Sequence, residues 1–196
     1  MGKLQVAPQP SSQPKHIIIA GGGLAGLSTS LGLSKLGYRI TIVECRKEWL
    51  QQGSAFGLAA NGRKALLELF HSPSSMDRLL EKGIHIEQMD SHLMVWYMLR
   101  DSLLDEVKEC PLIDVKMGTT VESIDDMSDA SGVKVVVKNV ESGDAEKMDA
   151  SLLVAADGVY SNIRTLIGLE SAKVSASPTC ASDVNFETHL RIQTTS

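Results

Sequence analysis

The sequence predicts an α/β protein built on a parallel sheet, and three observations carry that prediction. An apolar run, His16-Ile17-Ile18-Ile19-Ala20, enters the pattern Gly21-x-Gly23-x-x-Gly26 at the head of a helical segment. A second apolar run, Arg39-Ile40-Thr41-Ile42-Val43, ends in Glu44. A third, Leu152-Leu153-Val154-Ala155, runs into Asp157-Gly158. Continuous apolar strands separated by helices are the mark of a sheet buried on both faces.

Each part of the first unit has a physical role. Gly21 permits the tight turn out of the strand, Gly23 lets a phosphate approach the backbone, and Gly26 lets the helix pack against the sheet. The helix, predicted over 24–36, offers unpaired N–H groups of Leu24 and Ala25 and the positive end of its dipole to an anion. Leu24, Leu27 and Leu31 share a face that Leu33 and Leu36 widen, and Gly37 is the expected stop. Glu44, at the carboxyl end of the second strand, can accept the ribose hydroxyls of an adenosine and repels a 2′-phosphate. The unit therefore predicts a dinucleotide ligand.

Beyond Glu44 the segment from Glu48 to Leu58 reads as loop. A short helix follows over 61–70 with Ala65, Leu66 and Leu69 inward and Asn61 as N-cap. A polar break at 72–75 precedes a helical piece over 76–80. Ile84–Ile86 and Leu93–Tyr97 read as strands, and Arg100–Glu109 as a helix burying Leu103, Leu104 and Val107. A run of strands begins over 115–124. Val133–Val137 and a strand to Met148 form a hairpin around Glu141-Ser142-Gly143-Asp144. The Asp157-Gly158 turn sits at a strand's carboxyl end, the edge where open parallel sheets bind ligands. Val184–Ile192 reads as one more strand.

Composition excludes several classes. Of 196 residues, 24 are acidic and 19 basic with the signs interspersed, which argues against a nucleic-acid partner. Three cysteines without a C-x-x-C pattern fit free thiols in the cytoplasm or another reducing compartment. The five histidines show no metal-binding spacing, so no metal site is expected. No apolar run reaches the roughly 20 residues that span a bilayer. Residues 1–14, rich in Pro, Gln and Ser, read as a disordered tail.

With these blocks together, the chain resembles the single-component flavoprotein monooxygenases of the aromatic-hydroxylase type (class A), of para-hydroxybenzoate hydroxylase fold. Asp157-Gly158-x-x-Ser161-x-x-Arg164 resembles that family's DG motif, Gly57–Gly62 its helix-opening segment, and Arg100-Asp101-Ser102-Leu103 its R-x-x-L helix start. The resemblance implies a Rossmann-like FAD-binding domain with inserted β-hairpins over 15–170. It implies FAD on Gly21, Gly23, Leu24, Ala25 and Gly26, with Glu44 on the adenosine ribose and Arg100 near the pyrophosphate or ribityl chain. Val121 would flank the adenine, and Asp157 would lie near the pyrophosphate. Gly158 and Arg164 would support that turn and the transient approach of NAD(P)H. The implied activity is hydroxylation or epoxidation of a small aromatic or isoprenoid substrate with O₂.

The chain departs from the family in one respect. The family's later Gly-Asp motif is not matched by Gly143-Asp144-Ala145, which precedes the DG motif and reads as a hairpin turn. The substrate domain would mostly follow Arg164, so residues 171–196 read as its poorly ordered remnant and the chain as an N-terminal half. An alternative is therefore a nucleotide-binding fragment without turnover. A third reading, an NAD-dependent dehydrogenase, lacks any Tyr-x-x-x-Lys or other hydride-transfer constellation. No catalytic acid, base or nucleophile stands out, and oligomeric state is not legible.

Overall fold

In the computed structural model, which describes residues 15–126 and 132–169, strand β1 (His16–Ala20) leads into helix α1 (Leu24–Lys35) and strand β2 (Arg39–Glu44). The sheet they start is completed by β6 (Ile113–Met117) and β10 (Leu152–Ala155) in the order β10-β1-β2-β6, every neighbour parallel. The unbroken apolar runs follow from this. Ile17 and Ile19 of β1, with Ile40 and Ile42 of β2, pack beneath Leu27 and Leu31 of α1. Ile18, Ala20 and Val43 face the opposite side, against Val121, Val135 and Val137.

That opposite layer is an antiparallel meander of β7 (Thr119–Asp126), β8 (Val133–Asn139) and β9 (Ala145–Ala150). Gly143, at φ +76°, lies in the turn between β8 and β9, so Gly143-Asp144 is a hairpin turn as expected. Helix α5 (Asn162–Leu166) adds Ile163 to this layer. On the helical side, α2 (Ala60–Leu69), α3 (Pro73–Leu80) and α4 (Trp96–Glu109) join α1. A small sheet, ordered β3-β5-β4, lies within the same segment: β3 (Ala55–Ala59), β4 (Ile84–Ile86) and β5 (Ser91–Val95).

Five local expectations are corrected. Ala55–Ala59 is a strand, not loop, because its backbone pairs with Ser91–Val95 despite its weak β-formers. Helix α2 starts at Ala60 with Ala59 as N-cap, so Asn61 sits inside the first turn. The polar break at 72–75 is the start of α3, where Pro73 follows the N-cap Ser72, whose hydroxyl accepts from Ser74 N–H. Trp96 and Tyr97 open α4 and do not extend β5, so Arg100 lies more than a turn inside the helix. Leu36 is 72% exposed and leaves the α1 face to Leu27 and Leu31. The tail over 1–14, the remnant over 171–196 and the strand over 184–192 lie outside the described residues.

Glu106 pins the helical layer together. Its buried carboxylate accepts from Ser75 Oγ, from His71 N–H at 2.6 Å and from His71 Nδ1 at 2.8 Å, tying α4 to the α2–α3 junction. Burial raises its pKa, but the hydrogen bonds from Ser75 and His71 outweigh it and hold the group below its ordinary 4.5. A depressed folded value stabilises the fold above 4.5, and that contribution disappears as pH falls through the folded value. Glu106→Ala should cost about 2–3 kcal/mol at pH 7, since it strands the buried Ser75 hydroxyl and the part-buried His71 N–H. The wild-type advantage should shrink below pH 4.5 in melting curves.

Candidate functional site

The carboxyl ends of β1, β2 and β10 meet where the connection after β1 goes to one side of the sheet and β10 lies on the other. This is the position where open α/β sheets form a ligand crevice. A cleft of about 350 Å³ opens there, lined by Ala20, Gly21, Gly23, Val43, Glu44, Thr119, Val121, Asp157, Gly158 and Asn162 among others. The glycines do what their spacing predicts. Gly21 has φ +102°, and a Cβ there would strike the Ala156 carbonyl of the neighbouring turn. A Cβ on Gly26 would strike the Gly21 carbonyl, so the helix approaches the strand only because none is present. A Cβ on Gly23 would meet nothing within 4 Å, which leaves its backbone open towards the cleft it lines.

Helix α1 begins with Gly23 as N-cap, with no side-chain cap and no acidic residue in its first turn. Its orphan N–H groups and dipole are left for an anion. Glu44 is 3% exposed. Its Oε2 accepts from Gly22 N–H at 2.7 Å and its Oε1 from Arg46 N–H at 2.9 Å. Oε1 also accepts from the Cys45 thiol at 3.5 Å, while Oε2 keeps a further lone pair, so the carboxylate can hold the turn and still accept a hydroxyl. Asp157 Oδ2 accepts from Ile163 N–H at 3.1 Å, and Ser161 Oγ accepts from Arg164 N–H at 3.1 Å. Together they fix the Asp157-Gly158 turn to the start of α5.

A second cleft of about 500 Å³ adjoins the first and shares Arg46 and Trp96 with it. Leu24, Leu50, Gly53, Phe56 and Arg100 line it. Arg100 is 4% exposed. Its Nη1 donates to the Leu50 carbonyl at 2.6 Å, its Nε and Nη2 donate to Asp101, and the guanidinium stacks 5.6 and 5.5 Å from the Trp49 and Trp96 rings. These contacts hold its planar fork at the cleft wall.

Of the residues singled out in the sequence, Gly21, Gly23, Glu44, Val121, Asp157 and Gly158 come together in the first cleft, while Leu24 and Arg100 face the second. Gly26 packs below the turn. Ala25 and Arg164 line neither cleft. Sequence reasoning passed over Cys45, Arg46, Thr119, Thr120, Tyr160 and Asn162 as site residues, and placed Trp96 only within a strand-like run. Arg46 carried one usable signal, its place just past the carboxyl end of β2. Thr119 and Thr120 carried another, directly after Gly118, whose φ of +62° turns the chain at the end of β6.

Cys45 reports on the site. Burial and then the Glu44 carboxylate, 3.5 Å from Sγ, raise its thiol pKa above the ordinary 9.0. The midpoint of its alkylation rate against pH should therefore lie above that of Cys in a denatured chain, which falls near the ordinary 9.0. A ligand seated against Glu44 should slow the labelling.

Comparison with known proteins agrees with this geometry. The chain matches the FAD binding domain family over residues 15–194. It is 26% identical over 191 residues to an FAD-dependent monooxygenase of Aspergillus terreus, covering 84% of this chain and 43% of that protein. It is 28% identical to monooxygenase 2 of Arabidopsis thaliana, covering 82% and 41%. Among solved structures, p-nitrophenol 4-monooxygenase from Pseudomonas putida superposes with a TM-score of 0.67 at 18% identity, over 81% of this chain and 44% of that one. The FAD and aklavinone complex of aklavinone-11 hydroxylase also gives 0.67, at 20% identity, over 81% and 35%. The chain spans less than half the length of these relatives. Among the described residues no helix is long and apolar enough to cross a membrane.

Proposed function

This chain belongs to the FAD binding domain family, and from that premise we propose that it forms the FAD-holding part of a monooxygenase that oxidises a small aromatic or isoprenoid substrate with O₂ and NAD(P)H. The observation that carries the proposal is the pairing of the glycine turn with Glu44 and Asp157 around one cleft, continued by a second cleft walled by Arg100. The residues fit a dinucleotide. Gly23 leaves its backbone bare towards the cleft, α1 presents free N–H groups, and Glu44 retains acceptor capacity.

In this reading Glu44 orients the adenosine by its ribose hydroxyls, and Val121, only 3% exposed, walls the adenine. Gly21, Gly23 and the N–H groups of Leu24 and Ala25 receive the pyrophosphate, with Gly26 fixing the helix at that distance. Asp157 and Gly158 close the opposite side, and Arg164 supports their turn through its N–H on Ser161. Arg100 sets its guanidinium at the pyrophosphate or ribityl end of the second cleft. FAD would supply the electron transfer and oxygen chemistry that none of these side chains can provide. The chain's own share is binding, orientation and exclusion of water. A soluble homogenate of a reducing compartment is where we expect it, in keeping with its cysteine usage.

FAD titration tests the reading: a saturable flavin spectrum, with protection of Cys45 from alkylation, is expected, and a chain that stays colourless in excess FAD overturns it. A second reading is FAD binding without turnover by this segment on its own. Oxygen consumption dependent on reduced nicotinamide by the flavin-loaded chain would exclude that reading. Arg100→Ala should weaken flavin affinity about tenfold or more, given the worth of one hydrogen bond to a charged group, and leave the adenosine cleft intact. Unchanged FAD affinity in this variant would remove Arg100 from the site.

A further inference from the structure

A pair of histidines lies on the small sheet, outside both clefts. His85 on β4 and His92 on β5 are directly opposed in the antiparallel register. Their ring centroids are 4.7 Å apart with the planes tilted by 39°. His85 is exposed on the sheet edge and His92 is half-buried. His92 Nδ1 is buried and has no hydrogen-bond partner among the described residues. A buried ring nitrogen left unpaired costs free energy and calls for a partner.

We propose that His85 and His92 form a two-histidine chelate for a divalent late first-row metal of the nickel or copper(II) class. The spacing suits it. With metal–nitrogen bonds of about 2.1 Å and about 1.1 Å more to each ring centre, centroids at this separation subtend about 95° at a shared ion. That is a cis arrangement, natural for tetragonal or octahedral coordination completed by water. A tetrahedral structural zinc is a poorer match, since no group of three His, Cys, Asp or Glu ligands gathers among the described residues.

The surroundings keep the pair preformed. The link from β4 to β5 is the single 3₁₀ turn Glu87–Met89 followed by Asp90 in the left-handed region, at φ +41°. Arg63, the nearest cation, is engaged by Asp90 Oδ1 at 2.8 Å and by the Asp90 carbonyl at 2.8 Å. Burial, then His85 and Arg63, lower the His92 pKa below 6.5, with Asp90 opposing them. The strand register sets both ligands side by side before the ion arrives, so the second bond forms intramolecularly.

The test is a Ni²⁺ titration of the full chain at pH 7.5 against a chromophoric competing chelator. One site per chain is expected. His85→Gln keeps the size of an exposed edge residue and should preserve the circular dichroism and melting of the parent. It should weaken Ni²⁺ by roughly a hundredfold, the gain that chelation confers over a single ligand. His16→Gln and His71→Gln should leave the affinity unchanged. Equal Ni²⁺ affinity in the parent and His85→Gln, or a loss that follows His16 or His71 instead, overturns the proposal. His92→Gln, read in parallel, should match the His85→Gln loss; parent-like affinity there also overturns it.

Discussion

Gly26→Val is expected to abolish the fold around the glycine turn, and flavin binding with it. The new side chain would occupy the space of the Gly21 carbonyl, and both groups belong to backbone that cannot move independently. Gly21 is fixed by its φ of +102° and by its N–H on the Val43 carbonyl at 2.8 Å. Helix α1 is held by Leu27 and Leu31, both fully buried. Relief would require lifting α1 from β1, which opens the cavity those leucines fill. An overpacking cost of about 3 kcal/mol or more is expected, a large fraction of the roughly 5–15 kcal/mol that stabilises a domain. Thermal melts and flavin absorbance of the purified variant check this. A Gly26→Val protein that melts within a few degrees of the parent and takes up FAD would refute the packing role.

Glu44→Ala is expected to separate binding from folding. The carboxylate lies at the end of a strand whose core residues are untouched, so α1, β1 and β2 should still pack. The variant removes the acceptor for Gly22 and Arg46 N–H and the acceptor proposed for the ribose. Charge-assisted hydrogen bonds contribute about 1.5–3 kcal/mol each, so FAD affinity should fall by roughly a hundredfold. Flavin fluorescence titration measures this, and Glu44→Gln should recover part of it by keeping one acceptor oxygen. Retained affinity in Glu44→Ala would place the adenosine elsewhere. A melt that stays cooperative, lowered by the cost of leaving the Gly22 and Arg46 N–H groups without their acceptor, is the second expected reading. The two variants then differ in kind: Gly26 acts through backbone contact, Glu44 through hydrogen bonds to a ligand and its turn.

The glycine turn and the strand ends that meet in the first cleft were legible because they are written mostly in local chain. The positive φ of Gly21 and the close approach of Gly26 to the Gly21 carbonyl are set within six residues, although Gly21 also abuts the distant Ala156 carbonyl, and Glu44 follows from the strand that ends on it. The DG turn could be placed for the same reason: an apolar strand before Asp157 and a capped helix after it. The hairpin reading of Gly143-Asp144 also held, since the two residues lie in the turn that joins β8 to β9. Arg100 was singled out for its letters, but its setting was not foreseen. The strand-like pattern of Leu93–Tyr97 hid the true start of α4, and with it the stacking of Arg100 between Trp49 and Trp96.

What the sequence determined by itself was the β1-α1-β2 unit, the parallel strand before Asp157 and the family. These rest on apolar periodicity and on glycines whose conformational demands are intrinsic to the residue. What only the tertiary structure decided was the strand β3, the helix starts, the junction of two clefts at Arg46 and Trp96, and the pairing of His85 with His92. Each of these depends on partners distant in sequence, and hydrogen-bond pairing or packing with such partners overrides what a short segment prefers alone.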